Sequence, residues 1–254
     1  FPYTTLFRSV LIYVCLIFFL KAFQEKSISF TWYTLGVFTF AITGLSHEAI
    51  VFFLPALLFP IYDFYSKTDT TKTYALKLTA PIILLTCFTL FVAKNFTGSG
   101  ESMNLVCSAL EPYHLKSDIC DGAISWLMRD ANYAHQEVID AGPIVWLNYL
   151  FLGTISVLPF LLFKADKALL VFYLFSIVGI APLFYLAADY GRWISMIVTS
   201  SMLVTIWLRP NVIQHSLNKF GFIGFIYVSS WALPNFGHEK PGLGLLSQIV
   251  KSIF

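Results

Sequence analysis

Ala187-Ala188-Asp189-Tyr190-Gly191-Arg192-Trp193 stands between two uninterrupted apolar runs, and its reading decides the fold. Leu169 to Ala188 leads in without a charge, and Trp193 to Leu208 leads out without one. Runs of this kind are what a helix inside a bilayer requires, about 20 residues for a perpendicular crossing. A carboxylate and a guanidinium at the junction either cap a membrane helix or build a site. Ionisable groups at membrane depth cost about 2.5–3.5 kcal/mol on insertion scales, which favours a use for them. Asp189 and Arg192 are three apart, so on a helical turn they share a face and can pair.

Outward from that junction the chain keeps the same character. Hydrophobic residues make up 57% and charged residues only 12%, where a soluble domain carries about 25% charge. The apolar runs are continuous and helix-length, without the alternation of a transmembrane β-barrel. They predict an all-α fold, a polytopic transmembrane helical bundle. No block of Lys and Arg points to nucleic acid. No glycine-rich phosphate loop, Cys-x-x-Cys pair or His-x-x-x-His spacing points to a cofactor or a metal.

Phe1-Pro-Tyr-Thr-Thr-Leu-Phe-Arg-Ser9 resembles translated sequencing-adapter sequence and is set aside, with the natural chain expected to extend upstream. Residues 10–254 then read as a single membrane domain. Eight apolar segments stand out, at about 10–23, 28–46, 47–62, 76–94, 143–163, 168–188, 193–208 and 220–235. The run Ile28–Tyr62 is 35 residues, about 52 Å as one helix, which is too long for a single crossing. Gly44-Leu45-Ser46-His47-Glu48 is its polar break, and the division falls there. Pro55 and Pro60 make the third segment kinked or re-entrant.

Lys and Arg set the orientation. Alternate connections hold Lys21, Lys26, Lys67, Lys72, Lys77, Lys164, Lys167, Arg209 and Lys219, nine basic residues against four acidic ones (Glu25, Asp63, Asp69 and Asp166). The opposite connections hold the other seven basic residues and ten acidic ones. The first set is expected in the cytoplasm. The second set carries His47, Glu48, the long 95–142 loop, Asp189–Arg192 and the C-terminal tail on the outer face.

The 95–142 loop is the one extramembrane segment large enough to fold, and it is expected to be helical in part. Asp118 can cap a helix whose apolar stripe is Ile124, Leu127, Met128 and Ala131, suited to packing on the membrane domain. Its Cys107 and Cys120 lie on the oxidising side under this topology, so a disulfide is the economical reading, with Cys15 and Cys87 left as thiols in apolar runs. Leu246, Ile249, Val250 and Ile253 share a helical face, which predicts a short interfacial amphipathic helix over 242–254.

The outer face thus collects His47, Glu48, Arg129, His135, Asp189, Tyr190, Arg192, His238 and Glu239. His47 titrates near physiological pH and can pass a proton, while Glu48 can act as a base or cap the following helix. Adjacent residues do not share a helical face, so these two do not act as one pair. His238-Glu239 precedes Pro241-Gly242 and reads as an exposed turn. Arg192 can grip phosphate oxygens in a bidentate fork, with Asp189 orienting it. Tyr190 and Trp193 offer aromatic faces for a sugar ring, although aromatic residues are common at membrane interfaces.

Gly44-Leu-Ser-His-Glu-Ala-Ile-x-Phe-Phe-Leu-Pro55, the paired cysteines with Ile119-Cys-Asp-Gly-Ala-Ile124, and Asp189-Tyr-Gly-Arg-Trp193 together resemble bacterial multi-pass proteins of capsule and O-antigen assembly. In layout the chain is similar to O-antigen polymerases over most of residues 30–208, with one sizeable outer loop where two large ones are usual. The resemblance implies a bacterial inner (cytoplasmic) membrane location and glycan-chain extension or transfer at its outer side. It also implies a polyprenyl-linked glycan as substrate, and other polysaccharide-assembly proteins as partners alongside the lipid bilayer. Periplasmic arginines hold the diphosphate or glycan in such enzymes, a role that Arg129 and Arg192 match by position. Two other classes remain open from the residues. One is a polyprenyl-phosphate-sugar-dependent membrane glycosyltransferase with a carboxylate base. The other is a transporter or a non-catalytic membrane scaffold, although helix centres nearly free of charge disfavour ion coupling.

Overall fold

The computed structural model describes residues 2–24, 27–46, 48–68, 72–95, 100–110, 112, 120, 131–162, 166–186, 190–211, 214, 231–232 and 242–243. The long elements are all helices: α1 (Pro2–Ala22), α2 (Phe30–Ser46), α3 (Leu54–Lys67), α4 (Lys72–Asn95), α5 (Gly100–Leu110), α6 (Ala131–Leu162), α7 (Lys167–Leu186) and α8 (Tyr190–Leu208). A 3₁₀ turn, Glu48–Phe53, leads into α3. Among the described residues, four helices are long and apolar enough to cross a membrane: Ala49–Lys67, Thr73–Asn95, Lys167–Tyr185 and Tyr190–Leu208. The chain is a helical membrane protein.

The long run from Ile28 to Tyr62 does break at the polar pentapeptide, since α2 ends at Ser46 and the 3₁₀ turn starts at Glu48. Pro55 lies in the first turn of α3, where its missing N–H is no loss, and Pro60 sits inside the helix. With the 3₁₀ turn, the segment Ala49–Lys67 is long and apolar enough for a crossing. Its far end reaches the end of α1, because Phe64 packs against Phe23 at 5.6 Å, while its near end follows the last residue of α2. In α6 the helix is interrupted at Gly142, whose φ of 75° is the left-handed conformation that favours glycine. Pro143 follows, and the apolar segment read from 143 onward begins at that kink.

Two features at the C-terminal side differ from expectation. Trp231–Ala232 pairs antiparallel with Gly242–Leu243, so neither pair of residues is helical. The interfacial helix expected over 242–254 therefore does not start at Gly242, whose backbone hydrogen bonds are drawn into the ladder instead. The rest of that segment, most of the apolar stretch 220–235, and Asp118 with the Ile124–Met128 stripe lie outside the described residues.

The core is largely Phe, Leu and Ile, with close helix approach at a few small residues, as is usual where helices pack inside lipid. At Gly36 an added Cβ would lie 3.2 Å from the Phe19 ring, and Cys15 Sγ donates to the Gly36 carbonyl at 3.4 Å. At Gly179 of α7 it would lie 2.9 Å from the Phe52 carbonyl oxygen, so α7 crosses directly over the 3₁₀ turn. Buried polar groups bind the helices pairwise. The Tyr33 hydroxyl donates to the Leu78 carbonyl at 2.6 Å. Thr205 Oγ1 donates to Ser201 O at 2.7 Å, which leaves Tyr173 as the donor in its 2.6 Å contact with Thr205 Oγ1.

At one end of the bundle an ionic clasp joins three helices. Arg209, directly after α8, donates from Nη2 to Asp63 Oδ1 at 2.7 Å and from Nε to Asp166 Oδ2 at 2.6 Å. Asp63 belongs to α3 and its side chain is only 4% exposed. Lys67 Nζ, one helical turn on, reaches its other oxygen at 2.7 Å. Asp166 immediately precedes α7 and accepts from the Leu169 amide at 2.9 Å, capping that helix. Burial pushes the Asp166 carboxyl up, but the Leu169 amide and the Arg209 guanidinium outweigh it and hold the group below the usual range. Its contribution is therefore complete at neutral pH and is lost as the pH falls below about 4 and on through the depressed value.

Removing the guanidinium leaves a nearly buried carboxylate with Lys67 alone. Arg209→Ala is expected to destabilise the protein by about 3 kcal/mol, the lower end for breaking a buried pair. Lys67→Ala removes an ammonium whose side chain is 53% exposed and is expected to cost about 1 kcal/mol or less. Thermal unfolding of both variants in detergent checks the difference, and equal losses would show that Arg209 is an ordinary surface charge.

Candidate functional site

The stretch Tyr190-Gly191-Arg192-Trp193 is not a connector between helices; it is the first turn of α8. Tyr190 and Gly191 are buried, Arg192 is half-buried, and Trp193 is 3% exposed. The Tyr190 ring stacks on Phe184 of α7 at 5.4 Å with the planes 6° apart, and it meets Tyr149 of α6 at 5.1 Å. Val138, Leu152 and Ile194 close the same small cluster. Trp193 belongs instead to the main core. The aromatic rings that the sequence offers to a sugar are thus engaged in packing. They fix the helix turn that carries Arg192.

Three helix ends meet here, those of α6, α7 and α8. His135, in the first turns of α6, lies with its ring 4.2 Å from that of Tyr185 near the end of α7. Its Nδ1 stands 3.1 Å from the Tyr185 carbonyl oxygen. A carbonyl can only accept, so Nδ1 carries a proton in this contact and Nε2 is directed away from it. Sequence reasoning placed His135 among nine outer-face residues with no way to rank it. Its orientation depends on a contact 50 residues away, which no local pattern encodes.

Cys107, in α5, is bonded to Cys120 with their Cα atoms 5.9 Å apart. Cys15 and Cys87 are free, one buried and one exposed. Closing so short a loop stabilises the segment by roughly 3 kcal/mol in the chain-entropy model.

His47, Arg129, Asp189, His238 and Glu239 lie outside the described residues, so their convergence with Arg192 is not part of the geometry. Glu48 begins the 3₁₀ turn after α2. Among the described residues, no group of three or more His, Cys, Asp or Glu side chains is placed to hold a metal. What the fold and this end of the bundle define is a helical membrane protein in which His135 of α6 and Arg192 of α8 stand where three helix ends meet. No known family model, curated protein or solved structure matches the chain.

Thiol labelling of the denatured protein without reductant is expected to find two reactive cysteines, Cys15 and Cys87. Four would show that Cys107 and Cys120 are reduced.

Proposed function

We propose that this protein is a membrane enzyme of surface-polysaccharide assembly that acts on a lipid-linked glycan at the end of the bundle formed by His135, Tyr190 and Arg192. The observation that carries the reading is the fixed position of Arg192. It occupies the first turn of α8, between two buried aromatic residues, where the positive end of the helix adds to its charge. A guanidinium held in this way suits the diphosphate of a polyprenyl-linked sugar, whose oxygens accept a bidentate fork.

In this reading Asp189 orients the guanidinium from the residue just before α8. The base that activates an acceptor hydroxyl for attack on the anomeric carbon is His47, Glu48 or, by its oriented Nε2, His135. Arg129 is the second cationic contact for the glycan. The basic connections face the cytoplasm, the disulfide-bonded loop faces outward, and about eight membrane segments lie in the bacterial inner membrane. The resemblance of the 44–55, 119–124 and 189–193 motifs to O-antigen polymerase-like proteins supports the substrate class. The burial of Tyr190 and Trp193 favours one specific rival, in which the 189–193 stretch serves packing alone and the protein is a scaffold.

Arg192→Lys separates the two, because it keeps the charge and loses the fork. In cells that depend on this protein for surface glycan, the variant is expected to lower glycan output about tenfold or more at unchanged membrane abundance. Wild-type output at normal abundance would overturn the enzymatic reading and leave the scaffold.

A further inference from the structure

Beside the end of α1 and the start of α2 lies an open polar cavity that the proposed activity does not use. It measures about 450 Å³ and is lined by Lys21, Gln24, Ser27, Ser29 and Trp32. The turn between α1 and α2 is fixed by its own backbone, since the Ser29 amide donates to Ala22 O at 3.0 Å and the Tyr33 amide to Ser29 O at 3.0 Å. Trp32 is the aromatic residue of the lining, and its ring is in contact with that of Phe18 at 5.5 Å. Lys21 Nζ lies 4.6 Å from the centre of the Trp32 ring. The indole supports the ammonium from one side by cation–π attraction and leaves its N–H bonds to point elsewhere.

We propose that this cavity binds a phosphate-bearing group, and that its occupant is the phosphodiester of an anionic phospholipid. The lining supplies what such a group needs: one fixed cation, two hydroxyls and an amide. The volume suits a headgroup, falling within the range of small-molecule sites. Its position suits a lipid rather than a solute. It opens where the apolar run of α1 ends, and Trp32 is the kind of residue that sits at headgroup depth. From Trp32, α2 continues with Leu35, Phe38, Ile42 and Leu45, all exposed and spaced three and four apart. That face provides a track for an acyl chain below the headgroup.

The test uses the full chain, purified in neutral detergent and analysed by native mass spectrometry with short-chain phosphatidylglycerol as the probe and phosphatidylcholine as the zwitterionic comparison. Lys21→Gln is expected to reduce retained phosphatidylglycerol about fivefold, the effect of one basic residue at an anionic surface. Lys77→Gln removes an equal charge from an exposed position of α4 outside the cavity and is expected to leave retention unchanged. Unfolding midpoints of both variants establish that each is folded. A second cavity variant, Ser29→Ala, covers the case in which Lys21→Gln does not fold. Retention that resists millimolar inorganic phosphate identifies the lipid, and displacement by it identifies a soluble phosphate as the source of the same group. Equal retention in Lys21→Gln and wild type, or an equal loss in Lys77→Gln, would overturn the site.

Discussion

Arg209 is held between Asp63 and Asp166, and much of the arrangement follows from that one residue. It draws the end of α3, the start of α7 and the end of α8 to a single point. The energetic meaning is particular. Burying two opposite charges costs desolvation that their attraction only partly offsets, so the net gain over an apolar contact is small. The cost of misplacing them is large, because Asp63 would then be an almost fully buried carboxylate short of a partner. The clasp therefore acts mainly by excluding other helix arrangements. Dispersion and small-residue contacts, as at Gly36 and Gly179, hold the rest together without choosing between registers so sharply.

With that end tied, the opposite end is left to the start of α6, the end of α7 and the start of α8. Tyr190 locks α8 onto α6 and α7 through its two ring contacts. His135 is set by the Tyr185 carbonyl, and Arg192 stands on the turn they secure. The two ends differ in chemistry as well as in packing. One is lysine-rich and internally neutralised, with a cavity beside it that suits a lipid headgroup. The other carries an oriented imidazole and a guanidinium, the two groups that the proposed glycan chemistry uses.

Much of the fold can be read from local sequence. The break at residues 44–48 follows from the length of a membrane crossing. The pairing of Cys107 with Cys120 follows from their place in one loop. Charge counting also groups Lys67, Asp166 and Arg209 on one face, and their meeting in the structure agrees with that grouping. What could not be read is contact between distant faces. Asp63 counts only as one acidic residue until α8 is seen to bring Arg209 against it, 146 residues away. Tyr190 and Trp193 look available to a ligand until Tyr190 is seen packed against α6 and α7 and Trp193 within the main core. Nearly uniform apolarity hides which face of each helix meets which, since a lipid-facing and a buried leucine are the same letter. The short pairing of Trp231–Ala232 with Gly242–Leu243 carries no alternation long enough to announce a strand.

The central claim is that α3, α7 and α8 bring their charged ends to one side of the membrane while the disulfide-bonded loop occupies the other. Reporter fusions in a bacterial host test it most directly, placed after Lys72, after Lys167 and near Ser117. The account predicts cytoplasmic readings at the first two positions and an external reading at the third. Opposite readings after Lys72 and Lys167 would contradict it, because Asp63 and Asp166 could not then share Arg209.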